Sequence, residues 1–156
     1  MPNQTQIVAA PALGQMPHLD QLCATVAKAA YAKDEAWSQA VFAQELRAEK
    51  RVYALTYHDG KLVGFVGAIK VLDQVDITGV AMHPEMQRHG LAFKMMRAFL
   101  ATLSPKTEVF LEVRVSNVPA QGLYTKLGFK QIGIRPHYYT HPVEDALLMK
   151  LVINAD

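Results

Sequence analysis

The sequence predicts an α/β (α+β) fold, a mixed sheet with helices on both faces. Three observations lead there. Some stretches repeat apolar residues at three- and four-residue steps, the period of an amphipathic helix. Others alternate or run continuously in β-branched and aromatic residues, as strands do. The two kinds interleave in the order β-α-α-β-β-β-α-β-α-β-β, which suits a sheet covered on both sides. At 156 residues the chain can bury a real core. It contains no internal repeat and no low-complexity linker, so one domain over residues 1–156 is expected.

Each element has a local reason. Gln6 to Ala10 reads as a first strand, closed by Pro11 and Gly14. Leu19, Leu22, Val26 and Ala29/Ala30 fall on one helical face. Ser38 is a good N-cap for a second helix, with Val41, Phe42 and Leu46 as its apolar face. The charged run Arg47 to Arg51 reads as that helix's solvated end. Val52 to Tyr57 and Leu62 to Leu72 are strands, and the Asp59-Gly60 pair between them favours a tight hairpin turn. Gly64 and Gly67 inside the second mark a bulge or a close backbone approach. Val75 to Met82 is the next strand, ended by Pro84.

From Gly90 to Leu103, the residues Leu91, Met95, Met96, Phe99, Leu100 and Leu103 form one helical face. Ser104-Pro105 stops it, because proline pushes the preceding residue out of helical geometry. Glu108 to Val115 alternates like a strand. Val118 to Leu127 is a short helix, with Asn117 as N-cap and Gly128 as its stop. Phe129 to Ile134 and Asp145 to Ile153 close the sheet, and Pro136 to Val143 reads as a loop between them.

Composition excludes several classes. A net charge of +2 is too small to argue nucleic-acid binding. One cysteine, Cys23, rules out an intramolecular disulfide and fits a reducing compartment. No apolar run is long enough for a membrane span. The N-terminus lacks a basic region followed by an apolar stretch, so no signal peptide is indicated. A cytoplasmic protein is the default. The histidines have no ligand-like company at metal-binding spacing, so no metal is expected. Cys23 lies on a helix face without a base nearby and reads as a small buried hydrophobe.

The stretch Gln87-Arg88-His89-Gly90-Leu91-Ala92 is the most informative. A small-residue turn that opens a helix leaves backbone N–H groups unpaired and pointing forward. With the positive end of the helix dipole they suit a phosphate or pyrophosphate. Gly90 lets the chain pass close to a ligand and tolerates positive φ. Ala92 keeps the first helical turn slim. On these residues alone, an ordinary turn before a core helix is an equal alternative.

The spacing Gln-x-x-Gly-x-Ala resembles the acyl-CoA pyrophosphate loop of the GNAT superfamily of N-acetyltransferases. Val80-Ala81-Met82-His83-Pro84 resembles that family's strand end before the loop. Phe110 to Asn117, Leu123 to Phe129 and Arg135 to Tyr139 resemble its later motifs in order and spacing. "LEVRxSN", "LYxxLGF" and "RxxYY" are most similar to bacterial ribosomal-protein-alanine N-acetyltransferases, as is Trp37-Ser38 followed by Phe42. The resemblance covers roughly residues 37 to 152.

The resemblance implies a mostly antiparallel sheet of six to seven strands with a splayed acyl-CoA site, and acetyl-CoA as co-substrate. It implies that Val80, Ala81 and Met82 meet the pantetheine arm and the thioester. It further implies that Gln87, Arg88, His89, Gly90, Leu91, Ala92 and Phe93 hold the pyrophosphate. Thr78-Gly79 departs from the family's usual residues before this strand end. Asn117 either bonds the pantetheine, caps its helix, or does both.

Glu112 is the candidate general base. A carboxylate in an apolar strand is costly unless paired or in a polar cleft. Arg114 lies on the same strand face, so the strand alone favours a structural Glu112–Arg114 ion pair; the resemblance implies a base acting through water. Tyr124 is the candidate general acid, a phenol that stays protonated near pH 7. On packing alone it is a core aromatic.

Trp37, Tyr138 and Tyr139 are candidates for an amphipathic acceptor wall, or for a plug over one end of the sheet. An α-amine has a pKa near 8, against about 10.4 for a lysine side chain. A single Glu therefore suits a protein N-terminus, such as that of a ribosomal protein. A polyamine-like small amine and a non-catalytic acyl-CoA-binding module remain the alternatives.

Overall fold

Alternating strand pattern and tight turns build the first half of the sheet. A computed structural model describes residues 3–31, 35–87 and 90–154. The strands are β1 (Asn3–Ala9), β2 (Arg51–His58), β3 (Lys61–Val71), β4 (Gln74–Met82), β5 (Glu108–Arg114), β6 (Lys130–Thr140) and β7 (Val143–Val152). They form one sheet in the order β1-β2-β3-β4-β5-β7-β6. Every neighbouring pair is antiparallel except β4 and β5. The helices are α1 (Leu19–Ala30), α2 (Gln39–Arg47), α3 (Leu91–Leu100) and α4 (Val118–Lys126).

Strand alternation sorts the core into two layers. Val52 and Ala54 of β2 join Val66, Met95, Phe99, Val109, Leu111 and Tyr124 beneath α3 and α4. The intervening Tyr53 and Leu55 join Phe65, Cys23, Val26, Phe42 and Leu46 beneath α1 and α2. The expected face of α3 is buried residue for residue. Asp59 and Gly60 both have positive φ, +51° and +80°, as a twist-matched two-residue hairpin requires. Ser38 caps α2 by accepting from the Val41 N–H, and Asn117 caps α4 by accepting from Ala120.

Some expectations need correction. Val41 is exposed, and Phe42 and Leu46 alone carry the buried face of α2. Arg51 is not part of a solvated tail: it opens β2 and its Nε donates to Glu45 at 2.8 Å. The loop expected over Pro136 to Val143 is mostly strand. β6 runs on to Thr140 and pairs Tyr139 with Glu144, absorbing Pro136 in an irregularity between Arg135 and Tyr139. Proline lacks a ladder donor, but a bulge on the sheet's outermost strand tolerates it. The register gains two residues there, and the Asp145 carboxylate takes the His137 N–H at 2.9 Å.

Gly64 and Gly67 are both close approaches. A Cβ on Gly67 would lie 2.6 Å from Cζ of Tyr53, and one on Gly64 2.6 Å from Cε of Met82. The register also slips between Gly67 and Ala68, where Thr78 is the extra residue on β4 and donates its hydroxyl to the Gly67 carbonyl. Tyr53 is fully buried, lies against Phe65 and bonds Glu45, so its ring has little room to yield. Gly67→Ala should therefore lower stability by about 1–3 kcal/mol, the usual cost of overpacking. Denaturant melts check this; an unchanged midpoint would show that the ring gives way.

Candidate active site

The parallel contact between β4 and β5 is short. Only Gln74, Val75 and Asp76 pair with Glu108, Val109 and Phe110. Beyond them β4 continues to Met82 along β3, and β5 to Arg114 along β7, with no pairing between the two. The sheet opens into a V. Backbone groups on the inner edge of β4 must then find other partners.

They find side chains. The Tyr31 hydroxyl, just past the end of α1, accepts from the Val80 N–H at 3.2 Å and donates to the Val80 carbonyl at 2.8 Å. One phenol thus satisfies both groups that a neighbouring strand would have taken. The Gln87 side chain donates to the Met82 carbonyl at 3.0 Å. Gly79, beside the bulge, is not required by this contact: a Cβ there would stand 3.5 Å from the Tyr31 oxygen, an ordinary van der Waals distance. Ala81 points the other way, into the core beneath α1.

Below this edge sits the start of α3. Gly90 is its N-cap with φ +71°, and the first helical bond runs from Lys94 N–H to the Gly90 carbonyl at 3.1 Å. The N–H groups of Leu91, Ala92 and Phe93 therefore have no intrahelical acceptor. A Cβ on Gly90 would meet nothing within 4 Å, so its cost there is the left-handed backbone and not a clash with protein. Arg88 and His89 lie outside the described residues. Among the described residues, no group of three or more His, Cys, Asp and Glu side chains is arranged to hold a metal ion, and no helix is long and apolar enough to cross a membrane.

Glu112 and Arg114 project from the β5 face opposite Leu111 and Val113. The Glu112–Arg114 ion pair does not form. Glu112 takes Arg135 of β6 at 3.0 Å, because the β5–β7–β6 pairing brings that side chain across the sheet. Arg114 instead reaches Glu35 at 2.9 Å and Glu144 at 3.0 Å.

Tyr124 of α4 packs edge-on against Phe129 and is buried. Burial raises its pKa, and Tyr31 and Tyr139 push it further. Burial likewise pushes Tyr139 up to about 12, with Tyr138 adding to it, Arg114 opposing it, and Glu112 and Glu35 contributing upward. Tyr138 is exposed and lies edge-on to Tyr139, with ring centres 5.0 Å apart. Trp37 is partly exposed and lies edge-on to Phe42.

The mouth of the V therefore gathers Val80, Tyr124, Glu112 and Tyr139 with three residues the sequence reading passed over: Tyr31, Glu35 and Arg114's carboxylate partner Glu144. No motif marks Tyr31 or Glu35; Tyr31 is placed by the end of α1, and Glu35 by its contact with Arg114. Asn117 serves as the α4 cap at the far end of β5. Cys23 is buried, and its thiol is pushed up to about 12 by burial and then by Asp20, so it is not a nucleophile.

The family model for acetyltransferases of the GNAT family matches residues 15–129. The chain belongs to the GNAT family. The match starts before residue 37, so the first helix is part of the family pattern too.

A Bacillus subtilis (strain 168) protein provisionally named a ribosomal protein bS18-alanine N-acetyltransferase is 40% identical over 121 residues, 76% of this chain and 80% of that one. The ribosomal protein bS18-alanine N-acetyltransferase of Escherichia coli (strain K12) is 34% identical over 122 residues, 76% and 82% of the two chains. The crystal structure of the Escherichia coli ribosomal-protein-S18-alanine N-acetyltransferase superposes with a TM-score of 0.80 at 26% identity, covering 97% of this chain and 95% of that one. This GNAT protein is thus an N-acetyltransferase that uses acetyl-CoA.

Tyr31 gives the GNAT site an alkaline signature. Burial pushes the phenol up to about 12, with the bond to Val80 opposing it and Glu35 and Tyr139 adding to it, against about 10 in an unfolded chain. Above pH 10 the unfolded chain releases a proton that the folded one keeps. The stability tied to this group is therefore whole below about pH 10 and lost as pH rises toward 12. Tyr31→Phe removes that share, so its melting temperature should fall less steeply over this window than wild type. Parallel melts of the two proteins at pH 9 to 12 test this; identical slopes would mean that Tyr31 ionises as freely folded as unfolded.

Proposed function

We propose that this enzyme acetylates the N-terminal α-amine of a protein, with the alanine terminus of ribosomal protein bS18 as the first acceptor to try. The observation that carries the reading is the V between β4 and β5. It brings inward-facing backbone at Val80 and Met82 between the start of α3 and the side chains of Glu112 and Tyr124. The two relatives quoted above, named for that acceptor, support the choice.

In this reading the pyrophosphate sits on the N–H groups at 90–93, and Gln87, Arg88 and His89 are further cofactor contacts that the family resemblance implies. The pantetheine runs along Val80 to Met82, and Asn117 borders it. The Val80 N–H serves the thioester oxygen once Tyr31 yields it, and stabilises the oxyanion that forms there. The amine nitrogen attacks the thioester carbon. Its proton passes to Glu112 through a water. The C–S bond then breaks, and Tyr124 gives its proton to the departing thiolate. The acetyl group moves directly, since Cys23 is too buried and too weakly acidic to carry it, and the reading calls on no metal.

An α-amine suits a single base better than a polyamine, because its pKa near 8 leaves more of it neutral near pH 7 than an amine near 10.4. Among the described residues Glu112 meets Arg135, and Glu35 and Glu144 share Arg114, so two guanidiniums offset part of the negative charge near the site.

Turnover of acetyl-CoA, followed by thiol release, tests the reading on N-terminal peptides, lysine peptides and polyamines. N-terminal peptides should be the best acceptors; preference for a polyamine would overturn it. Tyr124→Phe keeps the packing and removes the proton, so turnover should fall by roughly 10²–10⁴ while acetyl-CoA affinity holds.

Glu112→Gln should lose most activity at low pH, where the amine arrives protonated. It should recover in part as pH passes the amine's own pKa near 8. Arg135→Gln, which removes only the partly exposed partner, should stay within a few-fold of wild type. Matching pH profiles for Glu112→Gln and wild type would reduce Glu112 to an ion-pair partner.

A further inference from the structure

We propose that Arg114 is the positioning residue of the acceptor groove, holding the segment that carries Trp37 against the hairpin that carries Tyr138 and Tyr139. This rests on the acceptor groove of the proposed function and assigns the residue that sets its width. Arg114 ends β5, two positions beyond Glu112 on the same face. Its guanidinium is engaged on several sides by chain segments distant in sequence.

One nitrogen meets Glu35, two residues before Trp37, at 2.9 Å, and also donates to the His141 carbonyl at 3.2 Å. The other donates to Glu144 and to the Pro142 carbonyl, both at 3.0 Å. Its Cζ lies over the Tyr139 ring, 4.2 Å from the ring centre. Glu144 in turn accepts from the Ser116 N–H at 2.6 Å, which ties the cluster to the turn before α4.

The pattern is that of a spacer and not of a core. None of these partners belongs to either hydrophobic layer. Tyr139 and Glu144 pair in the sheet through their backbones, but the side chains of the cluster lie outside both layers. What the contacts fix is the placement of two exposed aromatic segments relative to each other and to Glu112. The arginine side chain is only 12% exposed, so the cluster has been taken largely out of water. Ion pairs in that setting add little net stability over an apolar replacement, while removal of one partner leaves the other charge unpaired. The planar fork is needed, because a lysine is a point charge and cannot serve two carboxylates, two carbonyls and a ring face from one position. Among the described residues the Nε has no partner, and the two terminal nitrogens make the polar contacts.

The experiment separates placement from folding and from catalysis. Trp37 is the single tryptophan, so acrylamide quenching of its fluorescence reports the segment directly, with no substrate present. Arg114→Gln and Arg114→Lys should both make Trp37 at least twofold more quenchable. Both should raise KM for an N-terminal peptide about tenfold, leave acetyl-CoA affinity by calorimetry within twofold, and leave kcat within about threefold. Glu35→Gln cuts a single arm and should give a smaller change of the same kind at an unchanged melting temperature.

Unchanged quenching and peptide KM in these variants would overturn the proposal. So would a parallel loss of acetyl-CoA affinity, which would indicate general loosening, or full activity in Arg114→Lys, which would reduce the role to charge. Should both Arg114 variants fail to fold, Glu35→Gln decides alone. Wild-type protein inactive on every N-terminal peptide would defeat the proposed function instead, and the quenching comparison would still decide the link through Arg114.

Discussion

Three residue pairs of parallel pairing between β4 and β5 set the terms for everything around them. They are enough to join the two halves of the sheet and too few to zip it shut. The strands diverge because each is committed to its other neighbour, β4 to β3 and β5 to β7, along nearly its whole length. Buried backbone groups do not tolerate being left without partners. The site is therefore as much a problem of satisfaction as of shape, and Tyr31 and Gln87 are its solution in this conformation.

The two sides of the V are built on different physics. The β4 side is backbone: a bulge at Thr78, a small residue at Gly79, inward-facing amides, and the open first turn of α3. The β5 side is charge and aromatic rings. Glu112 and Arg114 each reach a partner on another segment, and Tyr139 lies over the guanidinium. Backbone recognition tolerates sequence change, since any residue carries an amide. Charge recognition does not. A chain of this family can thus keep one side constant and vary the other.

What the sequence made legible follows from range. The α3 face, the Ser38 and Asn117 caps and the Asp59-Gly60 turn depend on residues a few positions apart, and they form as read. The motifs at Val80 to Ala92 and at Glu112 to Phe129 fall on the two sides of the opening between β4 and β5. The divergence of β4 and β5 was legible only through family resemblance, because no residue type encodes a strand that is not paired. The partner of Glu112 was misread for a related reason. Arg114 is nearest along the strand, but Arg135 is nearest across the sheet, and register between distant strands is not written in either. Tyr31 lay one residue beyond a helix with nothing to mark it. The extension of β6 past Pro136 was hidden by a residue that normally ends strands, accommodated here by an irregular edge.

The phenol on Val80 also changes what occupancy of the cleft means. A carbonyl that comes to the Val80 N–H does not meet water there; it meets a hydroxyl already bonded on both sides. Arrival is a swap, with one acceptor leaving as another enters, so the count of hydrogen bonds at that amide is conserved. The heat released at that point is accordingly small, and the gain must come from contacts made elsewhere along the ligand. A ligand that ends in a bare thiol brings no carbonyl to make the exchange and leaves the tyrosine seated. In the proposed reading, loaded and spent forms of the same carrier would thus meet two differently furnished sites.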